Sequence, residues 1–382
     1  MRSFWDFFKA ELRRVFSNPD IRLMALAAPV LYAVVLCFAY QKGRVQNVPV
    51  GVVSEDASGF TQELLRQIDA TEEVALEGNY LNLHEASEAM AQGHTVGTLY
   101  IPRDFTQNRL RLQQAPLYLA TNTSNFALSN PAMVGASTVT QVYGAGTLMT
   151  VLRKAGLPKG KAVVMANPVA LSSKPIFNPL LNYSFFFVPG LIYAILQQII
   201  IVGLCFSLTE QKDAGTWQPE RRSNRIIPYV LGRSMPYALI NLAFSMIFIY
   251  GLLPLIDLPA QASQFLLILG LGFFFTLSVS VMAFLFGLLF KDSVTAFVAL
   301  MFYSMPAFLI SGMSWPTYNL SWDLRILSWL TPITHFGDAI RRVLLEPQVG
   351  FIHVWGTFLN LTLFSAVILG ICYILLRYRT RS

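Results

Sequence analysis

The sequence predicts a polytopic α-helical membrane protein: six transmembrane helices, with an α/β extracytoplasmic domain inserted between the first and second. Three observations carry this. Apolar stretches recur at about 21–40, 183–208, 233–256, 264–290, 294–313 and 352–376, and a helix needs ~20 apolar residues to cross the hydrocarbon core. Only 13% of the chain is charged and 54% is hydrophobic, whereas a soluble protein carries about a quarter charged residues. The residues between the first two stretches are mostly polar and too numerous for a connecting loop.

Lys and Arg set the orientation. They cluster at Arg2, Lys9, Arg13, Arg14 and Arg22, at Lys212, Arg221, Arg222, Arg225 and Arg233, at Lys291, and at Arg377, Arg379 and Arg381. With both termini inside, all four clusters fall on the cytoplasmic side, and the short loop at Asp257, without Lys or Arg, falls outside. The net charge of +7 is thus a membrane signature: lipid is an expected partner and nucleic acid is not.

The elements follow in order. Residues 1–20 form an amphipathic helix with Trp5, Phe8, Leu12 and Phe16 on one face and Lys9, Arg13 and Arg14 opposite. Such a helix lies in the inner headgroup layer, packs on other protein, or does both. The first span, 21–40, is longer than a signal-peptide core and has no small-residue cleavage site before Gln41, so it reads as a retained anchor.

Residues 41–180 form the domain. Strands are expected at 48–56, 74–83, 95–102 and 115–123. Helices are expected at 58–69 behind a Ser58 cap, at 84–93 ended by Gly93, over DFTQNRLR, and from Asn125 to Lys154 with its start broken at Asn130-Pro131. Residues 168–179 are extended. Alternating strands and helices imply a small α/β domain. The remainder, 181–382, holds spans two to six, a cytoplasmic loop at 209–232 and an outer segment at 314–351. Pro306 interrupts the fifth span, which membrane helices tolerate.

Several chemistries are missing from the sequence. Cys37, Cys205 and Cys372 all fall within spans and show no zinc spacing. His84, His94, His335 and His353 make no metal-binding pattern. The stretch Gly156 to Ala162 lacks the spacing and the hydroxyl of a phosphate-binding loop. No Asp or Glu sits near a span centre, which argues against an ion-coupled carrier. The triplets at Asn122, Asn182 and Asn360 match a glycosylation pattern, but the last lies inside a span, so the pattern carries little weight. No internal repeat is visible. The chain is not expected to be an enzyme, and its energy must come from a partner.

The loop after span two reads TEQKDAGTWQPERRSNRIIPYVLGRSMPY, with Gly215-Thr216, then Pro228, then Leu231-Gly232-Arg233. It resembles the coupling region of permeases of the ABC-2 type. Ser311-Gly312, Pro316, Leu330 to Phe336 (LTPITHF) and Ala339 to Arg342 resemble that family's re-entrant segment, and GTLYIPRDF, ending at Phe105, is similar to the outside domain of its bacterial drug-exporter subgroup. Gln218 replaces the family's acidic residue, Pro219-Glu220 replace its leucine-rich continuation, and Gly232-Arg233 stand for Gly-Lys.

The resemblance implies the type-2 ABC exporter fold and a permease subunit exporting a hydrophobic or amphipathic compound across a bacterial inner membrane. It implies two permease copies, identical or related, on cytoplasmic ABC ATPase subunits that bind ATP and Mg; the chain itself binds no cofactor, and a periplasmic adaptor is a further candidate partner. A coupling helix from about Glu210 to Arg225 would carry Glu210, Gly215, Thr216, Glu220, Arg221 and Arg222 into the ATPase. The substrate path would lie between subunits, lined by Phe185, Phe186, Phe187, Tyr193 and Gln197 on span two and by Met301, Phe302, Met305 and Phe308 on span five. A different class of function stays open at this point: a membrane-anchored receptor or envelope assembly factor whose outer domain binds a ligand.

Overall fold

A computed structural model describes residues 3–40, 45–111, 113–124, 126–166, 183–220, 222–258 and 260–378. Arg221, the Asn182 triplet and the extended stretch 168–179 lie outside the described residues. The chain divides into two compact units, Met1–Gly43 with Pro175–Ser382, and Arg44–Lys174.

Helix α1 (Phe4–Ser17) opens on a capping box in which the Ser3 backbone N–H donates to the Asp6 carboxylate at 2.5 Å. Asn18 ends it and caps α2 (Pro19–Arg22), accepting from the N–H groups of Asp20 and Ile21. A π turn at Leu23–Ala27 leads into α3 (Ala28–Tyr40), giving one continuous run, Pro19–Tyr40. The buried face of α1 is Phe7, Glu11 and Val15. The face expected from sequence, Trp5 to Phe16, points away from the core, with Trp5 and Phe16 exposed.

The second unit holds β1 (Val48–Ser54), α4 (Gly59–Asp69), β2 (Val74–Asn79), α5 (Leu83–Ala91), β3 (Gly97–Ile101), α6 (Phe105–Leu110), β4 (Tyr118–Thr121), α7 (Phe126–Lys154) and α8 (Lys159–Ala166). Its sheet has the order β2-β1-β3-β4, parallel except for β4 against β3. Val48, Val50, Leu99 and Ile101 of the strands pack with Leu64 and Ile68 of α4 and Ala132 and Ala136 of α7. Ser58 caps α4 by accepting the Thr61 N–H at 3.3 Å, and Gly93 takes φ +80° just past α5. Helix α7 runs through Pro131 instead of breaking there; Pro131 is close enough to the helix start that the N–H it lacks costs little.

Asp56 knots this unit together. Its carboxylate accepts from Thr106 Oγ1 at 2.5 Å, Thr61 Oγ1 at 2.8 Å and the Ser58 backbone N–H at 3.2 Å. Partial burial pushes the carboxyl up, but the hydroxyl and N–H donors outweigh it and leave it below its ordinary value.

The first unit continues with α9 (Tyr183–Asp213), α10 (Ile226–Ile247), α11 (Phe265–Leu289), α12 (Ser293–Leu309), α13 (Trp322–Ser328), α14 (Pro332–Leu345) and α15 (Phe351–Tyr378). Among the described residues, five helical runs are long and apolar enough to cross a membrane, while α12 is shorter, at 17 residues. It stops at Leu309, before a turn with Gly312 at φ +90°.

Buried fraction separates the core from the periphery. In the most apolar window of each helix, 72% is buried for Ser184–Asp213 but 17% for Phe351–Tyr378. Helix α9 is therefore the central post. Tyr193 of α9, Phe275 of α11 and Phe336 of α14 form an aromatic trio with centroids 4.4–5.4 Å apart, and the Tyr193 hydroxyl lies 2.7 Å from Ser245 Oγ of α10. One side chain thus joins four helices.

Candidate functional site

The loop expected at 209–232 is much shorter in the structure. Residues to Asp213 extend α9, and α10 begins at Ile226. Pro228 sits in the first turn of α10, where its missing N–H has no helical partner to lose. Helix α9 ends in a Schellman motif. Gly215 takes φ +65°, its N–H donates to the Lys212 carbonyl at 3.0 Å, and the Thr216 N–H donates to the Gln211 carbonyl at 2.9 Å. Residues 216–220 carry no helix, and Ser223–Arg225 is one 3₁₀ turn. The expected continuous coupling helix is therefore absent from the described residues: Gly215 closes α9, and Pro219 holds Gln218 out of helical geometry.

The charges at this end of α9 serve as fasteners. Glu210 forms an ion pair with Arg14 of α1 and accepts from Asn18 Nδ2 at 2.9 Å. Lys212 Nζ donates to the carbonyls of Gly287, Leu288 and Phe290 at 2.5–3.1 Å, capping the end of α11. Asp213 accepts from Ser293 through its N–H at 3.0 Å and its hydroxyl at 2.6 Å, at the start of α12. Three neighbouring charges thus bind the central helix to three different elements.

A fourth fastener is buried. The Glu11 carboxylate accepts from Arg233 Nε at 2.7 Å, Ser207 Oγ at 2.5 Å and Tyr237 at 3.2 Å, and Arg233 also donates to the Tyr229 hydroxyl at 3.2 Å. The Glu11 and Arg233 side chains are 3% and 7% exposed. Gly232 lets the helices come this close: a Cβ there would meet the Phe4 carbonyl and Phe7 Cβ at 2.8 Å. The expected pairing of Gly232 with Arg233 thus has a local reason, close approach followed by charge. Glu11 escaped the sequence reading. Its signal was an acid four residues from Phe7 and four from Val15, on what is the apolar buried stripe.

The other expected coupling residues lie at the surface. Glu220 accepts the Arg222 N–H at 3.0 Å, and Arg222 is exposed. Trp217 folds back toward Lys212, whose ammonium lies 4.9 Å from its ring, beside a cavity of about 300 Å³ that Lys291 and Leu375 also line.

The expected path residues divide. Phe187 meets Phe308 and Tyr40 at ring centroids of 6.0 and 6.1 Å, and Gln198 Nε2 reaches Met301 Sδ at 3.6 Å. Met301, Phe302 and Met305 form an exposed apolar face on α12. Phe186 stacks under the Arg341 guanidinium at 4.1 Å. Phe185 and Gln197 are buried, and Tyr193 is fully enclosed in the aromatic trio. Tyr193 therefore does not join Met301, Phe302 and Met305 on one face; its hydroxyl finds its partner inside the chain.

An apolar bundle of spanning length, with charged fasteners gathered at one end of its central helix, defines a polytopic membrane transport subunit without a site for covalent chemistry among the described residues. The chain belongs to the ABC-2 family of transporter proteins, whose model matches residues 21–376. It is 25% identical over 382 residues to the probable multidrug ABC transporter permease YbhR of Escherichia coli K12, covering 98% of each chain, and equally to the protein of that name in strain O157:H7. It is therefore an ABC transporter permease, a multi-pass membrane subunit that works with ATPase partner subunits.

Proposed function

We propose that this permease belongs to an ATP-driven exporter of a bacterial inner membrane that moves a hydrophobic or amphipathic compound out of the cytoplasm or inner leaflet. Helix α12 then counts as the fifth of six spans, both termini are cytoplasmic, and the α/β unit is an extracytoplasmic domain within reach of an adaptor. Two copies pair, and cytoplasmic ATPases that bind ATP and Mg supply the work. The relative named as a multidrug permease supports the substrate class.

The observation that carries this reading is the four-way fastening at the end of α9. A push on residues 215–222 is delivered through Glu210, Lys212 and Asp213 to α1, α11 and α12 together, so the loop need not itself be helical to move the bundle. Gly215 and Thr216 set where the loop leaves the helix, and Glu220, Arg221 and Arg222 supply docking charges. On the path side, the Gln198 carbonyl oxygen is buried without a partner among the described residues and stands next to Met301. Met and Phe on this face give adaptable apolar contact for varied ligands.

Reversing charge with Arg221→Glu and Arg222→Glu is expected to reduce co-purification of the ATPase and its stimulation by the permease. Unchanged complex formation would remove the docking role. Uphill solute transport by this chain reconstituted without any ATPase would overturn the reading as a whole.

A further inference from the structure

Helices α14 and α15 face each other across a space that protein does not fill. Thr334, Asp338 and Arg342 recur every fourth residue on α14, and His353, Thr357 and Asn360 follow helical spacing on α15. These two stripes line a cavity of about 560 Å³. Asn360 lies ~14 Å along α15 from Phe351, at ~1.5 Å rise per residue, in a helix apolar enough to span a membrane.

The polar groups there are not spent on one another. Among the described residues, Asp338, Thr357 and Asn360 make no side-chain hydrogen bond and no ion pair. Arg342 has one distant ion-pair partner, Glu346 at 3.7 Å, and Arg325 spends one amino group on the Tyr318 carbonyl at 2.9 Å. His353 Nδ1 accepts the Gly350 N–H at 3.1 Å, so its Nε2 carries the proton and remains a donor. Unpaired polar groups at membrane depth cost several kcal/mol unless water or a ligand satisfies them.

The inventory has two parts. Arg325 and Arg342 offer guanidinium forks suited to a phosphate, and Asp338 offers a single carboxylate suited to an ammonium. Around the rim, Tyr318, Trp322, Trp329 and Trp355 are all more than half exposed, the residue types that settle at the headgroup level of a bilayer. We infer that this cavity binds the headgroup of a zwitterionic phospholipid, its phosphate on Arg325 and Arg342 and its amine on Asp338, with the acyl chains on the exposed face of α15. The inference rests on α15 crossing the membrane, as in the reading above, and is independent of whether the chain is driven by ATP.

The test is lipid retention by the full chain, purified in mild detergent and weighed by native mass spectrometry after exchange into phosphatidylethanolamine, phosphatidylglycerol or inorganic phosphate. The wild type is expected to hold phosphatidylethanolamine in preference to phosphatidylglycerol. Arg325→Gln with Arg342→Gln should cut retention of both by about tenfold, the loss of one charge-assisted contact. Asp338→Asn should keep lipid and lose the preference. Asn360→Leu, which fills the cavity with an apolar side chain, should displace lipid without lowering the thermal midpoint. Equal retention by wild type and Asn360→Leu, or displacement of lipid by millimolar phosphate, would overturn the assignment. So would wild-type dimers that exclude lipid from this face.

Discussion

Two polar regions of the same helical unit are built in opposite ways. At the junction of α1, α9 and α10, Glu11, Arg233, Ser207, Tyr229 and Tyr237 complete one another's hydrogen bonds inside the chain. Between α14 and α15, Asp338, Thr357 and Asn360 find no such partners among the described residues. A closed network holds helices in a fixed relation and transmits a push without needing anything from outside. An open one contributes little to the fold and is explained by what it binds. The difference separates a mechanical joint from a recognition site even though both use the same residue types.

The sharpest way to break the comparison is to open the closed network. Glu11→Ala leaves Arg233 buried and unpaired, and removing one member of a buried pair costs about 3–5 kcal/mol. The thermal midpoint in detergent should fall steeply. Glu11→Met with Arg233→Met together should recover most of that loss, because the uncompensated charge is gone. If the double variant is as unstable as the sum of the two single ones, the pair is not coupled. Lys212→Met comes next: it strips the charged donor from the end of α11 and is expected to cost about 1.5–3 kcal/mol. Its ATPase should still co-purify but respond less to the permease, since docking and transmission are then separated.

The sequence made the bundle legible because spanning length and the absence of charge are local properties. The strands and most helices of the α/β unit were legible for a similar reason: Ser58 and Gly93 mark helix ends, and apolar runs mark strands. The helical extent around 209–232 was hidden because Pro228 reads as a break, while at a first turn it is no break at all. Glu210 was correctly noticed as part of the coupling loop, but its attachment to Arg14 and Asn18 joins residues nearly two hundred positions apart, and no spacing rule reaches that far. The same limit hid Glu11 with Arg233. Tyr193 was placed on the path by its type and its span; only packing against Phe275 and Phe336 reveals it as core.

A smaller effect is expected at Asp56, the closed knot of the α/β unit. Its folded carboxyl lies below the ordinary value of about 3.9, so the unfolded chain takes up a proton first as pH falls. The stabilisation is fully present above the unfolded value and is lost as pH drops through the folded one. Wild type should therefore lose stability between about pH 5 and pH 2 more steeply than Asp56→Asn, and parallel pH profiles would remove Asp56 from the account.

The smallest effect is the most telling, because it comes from the open region. If Asp338 and Asn360 serve a ligand and not the fold, Asp338→Asn and Asn360→Leu should each stay within about 0.5 kcal/mol of wild type in lipid-free detergent, as for surface positions outside any network. Adding phosphatidylethanolamine should then raise the midpoint of the wild type alone, since a ligand stabilises only the state that binds it. A large loss for either variant without lipid would mean the stripe is structural after all, and the contrast with the α1 junction would disappear.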